Sequence, residues 1–364
     1  MATPGKSQDI SPVKFDPNGA APADSGVFGL PFTLEEAALV LLPVPWEATT
    51  SYGGGTSNGP QAILEASKQV DLFDLEVLRP YEAGIHMLEE SADVRTRNER
   101  AKAQAAQIIE AAGVIDGDEV LQAALDAVNV AGAQLNEYVY GETRRLLGLG
   151  KLVGLIGGDH STPFGAFKAI GEKHPGFGIL HFDAHSDTRE AYEGFEWSHA
   201  SIMHNAMERL PAIGKLVQVG IRDLCEQEMD YIRAQGPRMS VYFDRDVQRR
   251  KFEGETWGKL AAEIVSKLPP EVWVSFDIDG LDPRFCPHTG TPVPGGLEFA
   301  EALYLLSAVV RSGRKLIGFD VNEVAPDPSG ENEWDANVGA RLTYKLAALT
   351  LASNGKAPWY STTK

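Results

Sequence analysis

The sequence predicts a single three-layer α/β/α domain built on a mainly parallel sheet. Short runs rich in Val, Ile and Leu recur along the 364 residues, and helix-like stretches lie between most of them. This alternation is typical of a parallel sheet with helices on both faces, and the chain is long enough to bury one large core. The predicted strands are 37–44, 152–156, 177–182, 216–221, 240–243, 272–278 and 316–321.

The predicted helices follow the strands, except in one region. Helix-like patterns cover 162–173, 226–234, 256–267 and 298–311. The region of about 93–150 is instead predicted to be a helical insertion. Its helices are expected near 98–112 and 118–147, separated by Asp116-Gly117-Asp118. Two interpretations remain open. The helical pair packs on the outside of the sheet or against another subunit, or it lines a pocket.

The ends of the chain set the predicted domain limits. Residues 1–30 form a flexible N-terminal arm, because 1–24 are rich in Pro, Gly, Ala, Ser and Asp and lack a signal-peptide pattern. The domain itself covers 31–358, and 359–364 form a C-terminal tail. No run approaches the roughly 18 apolar residues of a membrane span, so we expect no membrane partner.

Charge and cysteine content narrow the class further. The net charge of −18 argues against a nucleic-acid partner and favours a cationic ligand, although an acidic surface also serves solubility. Cys225 and Cys286 are too few for a disulfide framework, which predicts a cytoplasmic protein.

Two strand ends carry crowded carboxylates, in the segments 181–187 (HFDAHSD) and 275–283 (SFDIDGLDP). Side chains alternate faces along a strand, so each segment directs a pair of ligand-type residues to one side. The pairs are Asp183 with His185, and Asp277 with Asp279. Carboxylates this close raise one another's pKa unless a cation opposes them, so the pattern predicts a metal site.

A third element, GGDHS at 157–161, follows a predicted strand and opens a helix. Its glycines permit a tight turn that leaves His160 at a strand end, beside the two carboxylate pairs. The Gly53-Gly54-Gly55 run has neither the lysine of a P-loop nor a G-x-G-x-x-G context, so it does not indicate nucleotide binding.

Together with GTPVPGG at 290–296, these motifs resemble the ureohydrolases, the arginase and agmatinase family, over about residues 39–351. The resemblance implies two divalent ions per subunit, Mn²⁺ or Ni²⁺, that generate a nucleophile from water. It implies six metal ligands: His160, Asp183, His185, Asp187, Asp277 and Asp279. It also implies a homo-oligomer, trimer or hexamer.

The resemblance assigns three catalytic roles. FDVNEVAP at 319–326 resembles a late family motif, which implies that Glu323 binds the planar guanidinium through paired hydrogen bonds; a surface or capping acid is the alternative. SHAS at 198–201 lies where the family carries a proton-shuttling or substrate-orienting histidine, so we assign His199, with His204 as the alternative. Asp187 would pass a proton to the departing nitrogen. His181 is expected to be an interior histidine outside the ligand set.

Two loops depart from the family pattern. Residues 46–60 lack the arginine usually found two residues before Gly59, and FCPHT at 285–289 replaces a smaller sequence. Cys286 and His288 are therefore expected to narrow the substrate pocket, unless they are simple loop variation.

The loop at 49–60 most resembles that of guanidine-hydrolysing members, so the first expectation is hydrolysis of guanidine to urea and ammonia. Conversion of agmatine to putrescine and urea, or hydrolysis of guanidinobutyrate, is the alternative. In either case the partner is a small cationic guanidino compound. A catalytically silent assembly protein is the hypothesis from a different class.

Overall fold

Eight parallel strands form one sheet in the computed structural model, which describes residues 15–360. The strand order is β2-β1-β3-β8-β7-β4-β5-β6, so the predicted parallel α/β architecture is confirmed. The strands are β1 (Leu39–Val44), β2 (Ile85–Met87), β3 (Leu152–Gly157), β4 (Phe177–Phe182), β5 (Ile213–Ile221), β6 (Met239–Phe243), β7 (Glu271–Asp277) and β8 (Lys315–Asn322). The sequence analysis missed the edge strand β2, because three residues are too short to show a period.

Ten α-helices occur in residues 15–360, and the predicted ones are present, although the first helix of the insertion begins earlier than predicted, at Ala92. They are α1 (Gly59–Ser67), α2 (Ala92–Glu110), α3 (Glu119–Gly148), α4 (Phe164–Lys173), α5 (Ile202–Arg209), α6 (Glu226–Gln235), α7 (Asp244–Phe252), α8 (Trp257–Ser266), α9 (Phe299–Arg311) and α10 (Trp334–Ser353). Short 3₁₀ helices occur at Val27–Gly29, Thr56–Asn58, Pro80–Ala83, His199–Ser201, Gly236–Arg238 and Ile278–Gly280. None of the described helices combines the length and apolar character that a membrane-spanning segment requires.

The core lies in two layers, one on each face of the sheet. Along β4, Leu180 and Phe182 pack with residues of α1, α8, α9 and α10, whereas Phe177 and Ile179 pack with residues of α3, α4 and α5. This alternation is the period of two that a strand imposes on its side chains. Phe182 stacks on Phe276 of β7 with ring centroids 4.5 Å apart, which fixes neighbouring strands next to the site described below.

The predicted helical insertion consists of α2 and α3. Both begin at an N-cap: the Ser91 hydroxyl accepts from Val94, and the Asp118 carboxylate accepts from Val120. The acidic break between them turns through left-handed backbone at Asp116 (φ 42°) and Gly117. Because α3 packs along α4, the pair adds to the outer layer on one face of the sheet.

The end segments are partly packed onto the body. In the N-terminal segment that the sequence assigned to a loose arm, Val27, Phe28 and Leu30 are buried, and the Phe28 amide donates to Ser67 Oγ at 2.8 Å. At the other end, the Tyr360 amide donates to the carbonyl of Glu76. The packed body therefore begins by Val27. Residues 1–14 of the predicted arm and 361–364 of the predicted tail lie outside the described residues.

Candidate metal centre

The central strands bring the predicted ligands together. β3, β8, β7 and β4 are consecutive neighbours in the sheet, and each is followed at its carboxyl end by a polar segment. His160 follows β3, Glu323 follows β8, Asp277 ends β7 and Asp183 follows β4. The carboxyl ends of parallel strands lie at the same edge of the sheet, so residues that are far apart in sequence meet there. His160 and Glu323, for example, are 163 positions apart and are joined by a hydrogen bond.

The first cluster surrounds one nitrogen of His160. Its Nδ1 lies 3.1 Å from Asp183 Oδ2, 3.4 Å from Asp187 Oδ2 and 3.3 Å from Asp277 Oδ2, and all four residues are buried. A single imidazole N–H can satisfy only one of these oxygens. Burial, together with the charge of Asp183, raises the pKa of Asp187 well above its usual range. This cluster of one imidazole and three carboxylates therefore suits a divalent metal ion better than a single proton.

The second cluster surrounds His185. Its Nδ1 lies 3.1 Å from Asp279 Oδ2 and 3.4 Å from Asp183 Oδ1. Asp183 thus presents one oxygen to each histidine and joins the two clusters. Burial opposes its charge, but the neighbouring histidines hold the pKa of Asp183 well below its usual range. A carboxylate shared by two imidazole-carboxylate sets fits a binuclear centre, and the oxygen-rich donors suit a metal such as Mn²⁺.

A buried network orients His160. Its Nε2 lies 2.8 Å from Ser275 Oγ, and that hydroxyl donates to Asp320 Oδ1 at 2.8 Å. Trp273 Nε1 also donates to Asp320. Because the Ser275 hydrogen is used on Asp320, His160 donates an N–H from Nε2, and Nδ1 would be the ligand atom for a bound metal ion. Ser275 and Asp320 are functional residues that sequence reasoning missed.

His181 has a similar supporting role. Gln218 Nε2 donates to His181 Nδ1 at 2.9 Å, so His181 Nε2 carries the hydrogen and donates to Asp183 Oδ2 at 2.8 Å. The side chain is fully buried with both ring nitrogens occupied. This agrees with its interpretation as an interior histidine, although it directly holds a predicted ligand.

Glu323 lies beside the first cluster with one oxygen unsatisfied. Its Oε1 accepts from the His160 amide at 3.0 Å, whereas Oε2 is buried without a hydrogen-bond partner among the described residues. Burial, together with the charge of Asp277, raises the pKa of Glu323 well above its usual range. Buried acceptors are rarely left unpaired in proteins, so this oxygen is suited to a ligand that donates hydrogen bonds.

Two of the site residues have a strained backbone. Asp187 (φ 54°) and Glu323 (φ 63°) adopt left-handed conformations without being glycine. Such residues cost of order 1 kcal/mol or more and concentrate at functional sites. The fold therefore holds these two carboxylates in place against a local preference.

His199, but not His204, faces the metal cluster. His199 opens a 3₁₀ turn capped by Ser198 and lines a cavity of 230 Å³ with His185 and Asp187. Burial, with the charge of His185, lowers the pKa of His199 to about 4, so its ring is neutral near pH 7. His204 is on α5 and packs against the Tyr231 ring, with centroids 4.9 Å apart.

The cavity also shows which loop residues approach the site. His288, which the sequence analysis placed in the pocket, is directed elsewhere: its Nδ1 lies 2.9 Å from Asp335 Oδ2 and its amide donates to Asp335 Oδ1. From the same loop, Thr291 lines the cavity instead. The remaining lining residues are Ser51, Tyr52, Arg189, Tyr192, Ala200, Asp223, Leu224 and Glu228.

A parallel α/β sheet with buried histidines and carboxylates gathered at its central carboxyl ends defines a metal-dependent hydrolase. Comparison with known proteins gives the family: residues 37–348 match the model of the Arginase family. The chain belongs to the arginase family and is one of its metal-dependent ureohydrolases, which release urea from a guanidino compound.

Individual relatives are similar over most of their length. N(1)-aminopropylagmatine ureohydrolase of Synechocystis sp. is 32% identical over 317 residues, which cover 85% of this chain and 88% of the relative. Guanidinobutyrase of Pseudomonas aeruginosa is 29% identical, with 87% of each chain covered. The crystal structure of proclavaminate amidinohydrolase from Streptomyces clavuligerus superposes with a TM-score of 0.69 at 26% identity, covering 91% of this chain and 98% of that one.

Proposed function

We propose that the protein hydrolyses a small guanidino compound held by Glu323, with guanidine as the first candidate substrate. The observation that carries this proposal is the buried Oε2 of Glu323, which has no hydrogen-bond partner in residues 15–360. The other oxygen of the same carboxylate accepts from the amide of His160, so Glu323 lies next to the first cluster of predicted ligands. A guanidinium has a planar edge of N–H donors that matches a carboxylate, and its charge offsets the burial of that carboxylate.

The proposed metal ligands are those implied by the sequence resemblance. They are His160, Asp183, His185, Asp187, Asp277 and Asp279, and the described contacts divide them into two sets that share Asp183. Two bound divalent ions, Mn²⁺ or Ni²⁺, would supply a nucleophile from water near neutral pH and stabilise the negative charge that develops on attack.

The chain's own residues would then orient the substrate and move protons. Glu323 fixes the guanidinium plane, so that its central carbon faces the metal ligands. His199 is neutral near pH 7 and lines the same cavity as Asp187, so it is able to orient the substrate by accepting a hydrogen bond from it. Asp187 would take up the proton that the attacking water releases and pass it to the departing nitrogen as the C–N bond breaks.

Two features favour a small substrate. The loop that contains Gly290 covers Glu323 so closely that a Cβ atom at Gly290 would lie 2.9 Å from Glu323 Oε2. The cavity lined by His185 and His199 has a volume of only 230 Å³. Agmatine remains the second candidate, because agmatinases are among the relatives: that of Bacillus anthracis is 30% identical over 301 residues.

The experiment is a urea-release assay with the purified protein loaded with Mn²⁺ or Ni²⁺. The compounds are guanidine, methylguanidine, agmatine, arginine, guanidinobutyrate and guanidinoacetate. We expect the highest kcat/KM for guanidine. A clear preference for agmatine would overturn the substrate assignment. No urea from any compound, with both metals bound, would contradict the proposed reaction and favour the silent assembly protein.

A further inference from the structure

The loop of residues 45–58, here called the covering loop, packs against Gly290, which lies close to the carboxylate of Glu323. Its Gly53 amide donates to the carbonyl of Gly290 at 2.9 Å, and a Cβ atom at Gly290 would lie close to both Glu323 Oε2 and, at 3.5 Å, Thr50 Cγ2. Two further residues of the covering loop, Ser51 and Tyr52, line the cavity that contains His199. The position of this loop therefore determines the space available above Glu323.

One buried carboxylate, that of Glu47, ties the covering loop together. Glu47 Oε2 accepts from the Gly55 amide at 2.6 Å, from the Ser57 amide at 3.1 Å and from Thr56 Oγ1 at 3.2 Å. The Gly55 backbone is left-handed (φ 106°), which a residue with a side chain rarely adopts. The carboxylate thus fixes the far end of the loop relative to its start.

The helical insertion holds this carboxylate from outside. Lys102 of α2 forms an ion pair with Glu47 Oε1, and Asn98 Oδ1 accepts from the Glu47 amide at 2.7 Å. Arg95 of the same helix donates to the Ser57 carbonyl at 3.2 Å. Positions 95, 98 and 102 are spaced i, i+3 and i+7, so a single face of α2 contacts the covering loop.

Because the Glu47 carboxylate is buried, the covering loop depends on Lys102 to balance the charge of that carboxylate. The Glu47 side chain is 5% exposed and that of Lys102 is 43% exposed. Removal of one partner leaves a buried charge without compensation, so the carboxylate would take up a proton or turn toward water. Either change weakens its bonds to the Gly55 and Ser57 amides.

We propose that α2 is a positioning element for the active site: Lys102 acts through Glu47 to hold the covering loop over Glu323, and so sets substrate affinity. This proposal rests on the proposed function, because it takes Glu323 as the substrate-binding carboxylate. It gives the helical insertion a role that its packing on the outer layer does not explain. Lys102 contacts none of the predicted metal ligands, so its removal should leave the chemical step unchanged.

The test is the Lys102→Met variant of the full chain, loaded with metal and assayed for urea release. We expect KM to rise about tenfold, equivalent to about 1.4 kcal/mol of binding, while kcat stays within about twofold. Metal content per subunit should equal that of the wild type. Lys102→Arg should restore most of the affinity. Unchanged KM in K102M, with or without a lower melting temperature, would overturn the proposal and leave the ion pair a purely structural contact.

Two further variants make the test specific. Arg100→Met removes an exposed cation from the same helix that forms no ion pair with any described residue, and it should leave KM unchanged. If K102M fails to fold, the double variant E47Q/K102M removes both charges and leaves no uncompensated carboxylate; its KM should still rise.

Hydrogen exchange separates this proposal from the proposed function. In K102M the Gly55 and Ser57 amides should exchange at least about tenfold faster, because local opening of the loop becomes easier. If the wild type releases urea from no guanidino compound, the proposed function fails, yet faster exchange confined to residues 45–58 would still support the positioning role. Unchanged exchange there would overturn it.

Discussion

Glu323→Gln gives the most direct test of the substrate site, because it should lower activity and raise stability together. The amide keeps an oxygen for the His160 amide but loses the negative charge that faces the guanidinium. Removal of one partner of a buried charged pair costs about 3–5 kcal/mol, and each 1.4 kcal/mol is a factor of ten. We therefore expect kcat/KM to fall roughly 100- to 4,000-fold, with metal content unchanged.

The stability gain follows from the removal of a charge that burial and the charge of Asp277 disfavour in the folded state. A buried charged group without a partner costs at least as much as an unsatisfied polar group, about 1–3 kcal/mol, and we expect the neutral amide to recover an amount of this size. With about 2.1 cal/mol/K of unfolding entropy per residue over 364 residues, the variant should melt about 1–4 °C higher. Its advantage should grow as the pH rises above the pKa of an unfolded glutamate, because burial raises the pKa of Glu323 in the folded state and its ionisation then opposes folding.

The assays must avoid denaturants that resemble the ligands, since guanidinium is the candidate substrate and urea is the product. Urea release by the metal-loaded proteins gives kcat/KM, and scanning calorimetry of chelator-treated proteins gives the melting temperatures. Activity of the variant within tenfold of the wild type would refute the role of Glu323 in binding. A lower melting temperature would show that Oε2 has a partner that stabilises the fold.

Three further perturbations have defined outcomes. Asp183→Ala should abolish urea release and lower the metal content measured by atomic emission, because Asp183 faces both histidine clusters. Asp320→Asn should weaken metal affinity about 10- to 100-fold in a competition titration, because it disturbs the Ser275 bond that orients His160. His199→Gln should change the pH dependence of stability: burial lowers the pKa of His199 to about 4, so the wild type should lose up to about 3 kcal/mol relative to the variant between pH 7 and pH 4.

Matched controls accompany these variants. Asp230→Ala removes a carboxylate whose side chain is 76% exposed, and it should change neither activity nor metal content. His204→Gln should leave kcat close to that of the wild type, since His204 lies on α5 outside the cavity. Full activity of the Asp183→Ala protein would refute the binuclear centre. If Asp320→Asn binds metal as tightly as the wild type, the network does not orient His160. Parallel curves of stability against pH for the wild type and His199→Gln would contradict a buried neutral imidazole at position 199.

The sequence predicted what local patterns encode. Seven strands were visible as apolar runs, and the paired carboxylates marked strand ends because ionisable residues interrupt buried segments only for a reason. β2 was invisible because three residues are too few to establish a period, although Ile85 and Met87 are buried on either side of the half-buried His86. The start of α3 was predicted near Asp118, after the Gly117 break, whereas α2 begins at Ala92 after its Ser91 cap, about six residues before the predicted helix near 98–112.

Contacts between strands were beyond the sequence, because they depend on strand order and register. Ser275 lies directly opposite Asp320 on β8 and, on its other side, opposite His181 on β4. Gln218 of β5 lies opposite His181 of β4. The network behind the predicted ligands therefore exists only once these strands are neighbours. His288 shows the converse error, since its closeness in sequence to a motif suggested the pocket, whereas Asp335, 47 residues later, holds its ring.

The central strands and α2 contribute to different parts of the site, which has a consequence for how the substrate specificity of this enzyme can change. The predicted ligands and Glu323 come from four adjacent strands whose packing leaves little room for change, whereas the covering loop is held by polar contacts from a helix in the outer layer. Substitutions on one face of α2 can alter which guanidino compounds enter without disturbing the reactive centre. New specificities can thus arise by mutation at a distance from the substrate.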